Sequence, residues 1–322
     1  MSAIDYSNLD AVLGAYNRGD GYLLYQQEML GFKSARYIDV YQDIKDEEPM
    51  VTPFIKEIVQ VGKEEGWNPT TGALDYVSRI LKVRQWQVDL TINPIKEHRK
   101  WTAKLMASGS DPYKYPFELF IMEQIYARIK DTMERIIWKG VYNSGTAAAA
   151  NVVNPLEVCD GFLKIIADAI TATTITPVAT GAITKDNAVE KLQDMWKALP
   201  EELKYKGVDI FCSHNTASNY YLNYKENYGD HMTYNSFKQP VLEISEGNAG
   251  IQPLPGLEGS GRVVIAPKGI LQIGMDLMSD TERIIVEKEK RNINLLVDGK
   301  IGVGISAFEI DGKDYLIVND QA

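Results

Sequence analysis

Apolar residues recur at three- and four-residue spacing from Met122 through Ile125, Ile129 and Met133 to Ile136, and predict one long helix from just after Pro116 to about Lys139. Glu118 and Glu123 near its start, with Lys130, Arg135 and Lys139 toward its end, match the polarity of a helix dipole, and Gly140 supplies the stop. A period of two runs from Arg79 to Ile92. It places Ile80, Lys82, Arg84, Trp86, Val88, Leu90 and Ile92 on one face, and Leu81, Val83, Gln85, Gln87, Asp89 and Thr91 on the other. Read as one strand, this run far exceeds the usual length of about 5–6 residues. Charged and aromatic residues share a face, so the strand is expected to project beyond its own core and to need a partner.

The flanking segments predict a mixed architecture. Residues 1–50 carry short apolar clusters (Leu9, Val12, Leu13 and Tyr16, then Tyr22, Leu23 and Leu24) separated by glycines, which suits an arm that packs against something else. Asp43, Asp46, Glu47 and Glu48, followed by Pro49, read as a solvated turn closing the arm, and Gly66–Ala73 as a loop. A basic stretch, Lys96 to Lys104, precedes the long helix, and Gly145–Ala150 reads as a loop between domains. Asn154-Pro155-Leu156-Glu157 carries helix-start signals and predicts a helix burying Val158, Phe162, Ile165, Ile166 and Ala169. A helix over about 186–199, a buried strand over Val208–Cys212 and a tyrosine-rich helix over about 215–228 complete an α/β layer. From Val241 onward the chain turns to short strands: VLEI, RVVIAP, GILQIGMDL, TERIIVEKEKR, INLLVD and KIGVGISAFEI, with hairpin signals at Asp298-Gly299 and Asp311-Gly312.

Composition narrows the function classes. The 322 residues are 45% hydrophobic and 24% charged with a formal net charge of -10, which suits a globular chain and argues against a protein built to grip nucleic acid. Cys159 and Cys212 lie among apolar residues without a partner for a zinc site, and are expected as buried thiols in a reducing compartment. The N-terminus lacks the basic and apolar regions of a signal peptide, and no stretch is apolar enough for a membrane span, so a soluble cytoplasmic product is expected. The sequence contains no phosphate-binding loop, dinucleotide fingerprint, nucleophile elbow or H-E-x-x-H motif, and His98, His214 and His231 lack ligand spacing. Phe211-Cys212-Ser213-His214-Asn215 could place a nucleophile beside a histidine. A buried cysteine followed by a helix cap explains the same residues without catalysis.

One pattern lies in the C-terminal half. Gly250–Leu257, GIQPLPGL, precedes Arg262–Lys268, RVVIAPK; Gly274-Met275-Asp276-Leu277 and the run Glu282 to Arg291 follow. A P-x-P-G-[LM] turn, a strand ending in A-P-K and a G-x-D step are soft patterns of one protein class. Together with the order arm, ribbon, long helix, α/β layer and closing strands, the chain resembles the major capsid proteins of tailed bacteriophages, with the Hong Kong ninety-seven fold. That resemblance implies an α+β fold: an arm over 1–50, the first part of a peripheral domain over 51–112 with an extended loop at about 60–92, and a spine helix segment over 113–144. An axial domain over 145–278 and peripheral return strands over 279–322 complete it.

The implied function is self-assembly into pentamers and hexamers of an icosahedral head enclosing double-stranded DNA. It needs no enzyme activity, cofactor, metal or membrane. The principal partner is the chain itself, with a separate scaffolding protein, portal and decoration proteins as further partners, and packaged DNA contacted only weakly. Assembly in the host bacterial cytoplasm and residence in the virion follow from the same resemblance. Inter-subunit contact candidates are Tyr16, Leu23, Trp67, Arg84 and Trp86. The N-terminus has no long charged helical segment to serve as fused scaffold, and no Lys–Asn crosslinking pair is identifiable. Two alternatives remain at this point: an encapsulin-like nanocompartment shell, and an α+β hydrolase using Ser213 and His214.

Overall fold

The computed structural model describes residues 32–62, 70–93, 117–145, 154–229, 232–234, 240–276, 284–289 and 292–321. Its main layer is a five-stranded sheet organised on one long strand. Strand β1 (Asp39–Tyr41) runs parallel to β8 (Leu271–Met275), and β8 pairs antiparallel with the second half of β10 (Asn292–Ile305). The first half of β10 lies between β4 (Arg84–Ile92) and β9 (Ile284–Glu289), antiparallel to both. Ile293, Leu295, Val297, Ile301, Val303 and Ile305 of β10 are buried, as period-two alternation requires of a strand with one face on a core. The spine helix α1 (Phe117–Lys139) lends Tyr126, Ile129, Met133, Ile136, Ile137 and Trp138 to the same core. Its buried stripe is thus wider than the five-residue pattern suggests.

A four-stranded sheet, in the order β13 (Ile317–Val318), β7 (Val264–Ala266), β5 (Val208–Cys212) and β6 (Ala249–Pro253), separates two hydrophobic clusters. Alternation assigns its faces. Ile210, Cys212, Ala249, Ile251, Ile265 and Ile317 meet the helices α3 (Ala188–Lys197), α4 (Glu201–Lys206) and α5 (His214–Tyr228). Phe211, Val264, Ala266 and Val318 meet the core of the spine helix, where Trp138 packs against Phe162 and Phe211 at centroid distances of 5.1 and 5.7 Å. Segment 279–322 therefore divides: β9 and β10 lie in the larger sheet and β13 in the smaller one, while β8, from the segment before, joins the larger sheet.

Four local expectations are corrected. The run from Arg79 to Ile92 is not one strand. It breaks at Val83 into β3 (Leu74–Lys82), which pairs with β2 (Glu47–Ile55), and β4 in the main sheet. Burial changes parity there, with Leu81 and Val83 buried before the break and Trp86 and Ile92 after it. Asp298-Gly299 is not a turn, because β10 passes straight through it. A Cβ at Gly299 would press on the Trp86 indole, so this glycine serves a close approach in the ladder. Asp311-Gly312 is the true hairpin, with φ of 53° and 72° between the short strands β11 (Glu309–Ile310) and β12 (Lys313–Asp314). Pro155–Glu157 forms a single 3-10 turn without an Asn154 side-chain cap, and α2 (Phe162–Thr171) starts afresh at Gly161. The interruption brings Gly161 backbone against Gly140, whose carbonyl accepts from the Gly161 N–H at 2.8 Å. Finally, Val241–Ile244 is no strand but an isolated bridge leading into a 3-10 turn over Glu243–Ser245.

Candidate assembly surface

Strands β2 and β3 form a two-stranded antiparallel ribbon in register from Glu47 opposite Lys82 to Ile55 opposite Leu74. Alternation places Pro49, Val51, Pro53 and Ile55 on one face with Ile80, Ser78, Tyr76 and Leu74. That face is open: Val51 is 51% exposed, Ile55 59%, Leu74 51%, Tyr76 57% and Ile80 66%, and Val61 beyond the ribbon reaches 91%. The opposite face turns toward the body. Phe54 and Val77 are partly buried against the main core, and the Arg79 guanidinium stacks on Phe308 at 4.1 Å. With its other face packed on the body, the ribbon presents this apolar face as a candidate contact surface.

The ribbon leaves the body through a packed base. Ile44, Met50, Leu81 and Val83 form a small separate core. A Cβ at Gly302 would collide with Lys82 backbone, and one at Gly304 would strike Met50, so glycines on β10 let the ribbon descend onto the sheet. Val83 N–H donates to Asp46 carbonyl at 2.9 Å and Lys82 pairs with Glu47. Lys45 reaches the fully buried Asp276 carboxylate at 3.1 Å and Asp43 at 3.2 Å; the Asp276 hydrogen bond, then that of Asp43, raises the Lys45 pKa. A second anchor lies where the arm meets the spine helix. The buried Glu134 carboxylate accepts from Ser34 N–H at 3.2 Å and Ser34 Oγ at 2.6 Å, and Ser34 Oγ accepts from Trp138 Nε1 at 2.8 Å. Burial raises the Glu134 pKa despite these hydrogen bonds.

Of the contact candidates, Tyr16, Leu23 and Trp67 lie outside the described residues, as do the basic stretch and most of the arm. Arg84 stacks on Tyr142 at 4.2 Å within its own chain, and Trp86 is buried in the main core. Reasoning from the sequence missed the Val51, Ile55, Leu74 and Tyr76 surface. The alternation of Pro49, Val51, Pro53 and Ile55 was its signal, hidden by the acidic cluster just before it.

The residues that raised the possibility of catalysis hold structural posts. Ser213 is the N-cap of α5, its Oγ accepting from Thr216 N–H at 3.2 Å, and it is buried, whereas His214 is exposed. Cys212 and Cys159 are buried free thiols, each pushed up to about 12 by desolvation. Among the described residues there is no group of three or more His, Cys, Asp or Glu able to hold a metal, and no helix long and apolar enough to cross a membrane.

No protein-family model and no curated protein matches the sequence. Solved structures do match in fold. A chain of the satellite phage P4 procapsid including size determination (Sid) protein aligns over 92% of this chain and 98% of its own, with a TM-score of 0.56 at 13% identity. A chain from the capsid of an empty GTA particle aligns over 89% of this chain and 88% of its own, with a TM-score of 0.52 at 10% identity. The chain therefore has the α+β fold of tailed-phage major capsid proteins, the Hong Kong ninety-seven fold.

Proposed function

We propose that this chain is a major capsid protein, many copies of which assemble as pentamers and hexamers into an icosahedral phage head around double-stranded DNA. The observation that carries this reading is the ribbon: an element anchored firmly at its base whose outer face is apolar and uncovered in the single chain. On this reading the five-stranded sheet and α1 form the peripheral domain, the four-stranded sheet and its helices the axial domain, and the ribbon lies on a neighbour. The mechanism is mechanical. Many modest interfaces, each reversible, sum to a stable lattice, and closed symmetry leaves no ribbon without a partner. The formal charge of -10 keeps packaged DNA loosely held rather than gripped. A separate scaffold, a portal and assembly in the bacterial cytoplasm belong to the same reading.

The test is the content of particles purified from cells making the protein in its genomic context. Nuclease-resistant double-stranded DNA inside closed particles supports a phage head. Particles holding a folded enzyme and no DNA point to a nanocompartment shell instead.

A further inference from the structure

A two-stranded ribbon can meet a partner by an edge, adding a strand to its ladder, or by a face, burying side chains. Two cross-ribbon hydrogen bonds settle which backbone groups are still free. Lys56 N–H donates to Ala73 carbonyl at 2.7 Å and Val83 N–H to Asp46 carbonyl at 2.9 Å, both in the register of the ribbon. Even-numbered positions of the first strand therefore form the hydrogen-bonded pairs, and Pro49, Val51, Pro53 and Ile55 turn their backbone nitrogens to the outer edge of β2. Two of these four are prolines and have no N–H to donate. Prolines spaced in this way close an edge to strand addition. On the outer edge of β3 the Tyr76 N–H already donates to Asp75 Oδ1 at 2.9 Å, and a strand added there would leave Val51, Ile55, Tyr76 and Ile80 as exposed as before.

Burying those side chains requires contact with the face. Beyond the Glu47–Lys82 pair at its base, whose charges offset each other, the other eight positions of the face carry no charge, so they offer no handle to DNA phosphates or to an acidic or basic peptide. In a closed homo-oligomer the surface that covers an element projecting from one copy belongs to another copy of the same chain. We infer that the ribbon docks on a second copy of this chain through the flat apolar face Val51, Ile55, Leu74, Tyr76 and Ile80, and not by strand addition at either edge. This rests on the capsid reading and specifies how its longest-reaching contact is made. Eight residues are well short of the roughly 20–30 a side of a stable binary interface, so the contact is individually weak and reversible, as error-correcting lattice assembly needs.

The test compares assembly of the full chain, with its scaffold if one is required, by light scattering and electron microscopy. Tyr76→Lys with Ile80→Lys puts two charges on the face, and Val51→Lys supplies an independent change from the other strand should the double variant fail to fold. Ser78→Pro removes an outward N–H from the β3 edge without touching the ladder to β2, because Ser78 pairs with Val51. Face docking predicts that lysine variants with wild-type circular dichroism lose closed particles at least tenfold, while Ser78→Pro assembles like the wild type. Lysine variants that assemble normally beside an assembling wild type overturn face docking alone, as does a folded Ser78→Pro chain that cannot assemble. A wild-type chain that never assembles removes the capsid reading and this inference together.

Discussion

Ser213 and Cys212 adjoin each other on a strand-to-helix junction, and the environment of each decides its role. The Ser213 hydroxyl caps α5, so Ser213→Ala should cost about 1 kcal/mol of stability and leave assembly intact, as read by urea unfolding and microscopy. Cys212 and Cys159, buried and with pKa values pushed up to about 12, should resist an aromatic disulfide reagent in the native protein and react at once in denaturant. Glu134 is a buried carboxyl on the spine helix. Its pKa is raised from an ordinary 4.5 by burial, eased by Ser34 and by the positive charge of Lys33, and raised further by Asp131. A raised carboxyl pKa means the folded state holds its proton longer than the unfolded one. The associated stability is complete below about 4.5 and declines as pH climbs through the folded value. Glu134→Gln keeps an acceptor for Ser34 and removes the titration, so its unfolding midpoint should vary less than the wild type's between about pH 4.5 and pH 7. Glu134→Ala strands the buried Ser34 N–H and should cost about 1–3 kcal/mol.

At the scale of elements, Gly302 sets how closely the ribbon base approaches the main sheet. Gly302→Ala drives a methyl group into Lys82 backbone and should lower stability by about 1–3 kcal/mol, and shift the ribbon base enough to slow assembly. This crossing also shows where sequence reasoning reaches its limit. Helical spacing makes α1 plain because one period runs along it, and Val208–Cys212 is legible as a short, nearly continuous apolar run buried on both faces. The Arg79–Ile92 alternation reads as one strand since a change of sheet at Val83 leaves the hydrophobic alternation intact while inverting which face is buried. Asp298-Gly299 carries hairpin chemistry, yet the glycine answers to Trp86, a residue more than two hundred positions earlier and invisible to local pattern. For the assembly surface, the sequence disclosed that something in this stretch was too long for one core. The specific face emerged only once register placed Val51 opposite Ser78 and Pro53 opposite Tyr76.

Over the whole molecule, the ribbon is the part left unfinished in one copy. Two cores, one built on the spine helix and one on α3, α4 and α5, lie on opposite faces of the four-stranded sheet and make up the body, while the ribbon projects from it with its apolar side outward. On the capsid reading, such a chain completes its burial through symmetry. Electron microscopy of the purified chain, with scaffold where required, tests this most directly. Assembly predicts closed shells of uniform size built from fivefold and sixfold clusters. A monodisperse monomer or dimer under every assembly condition would contradict it.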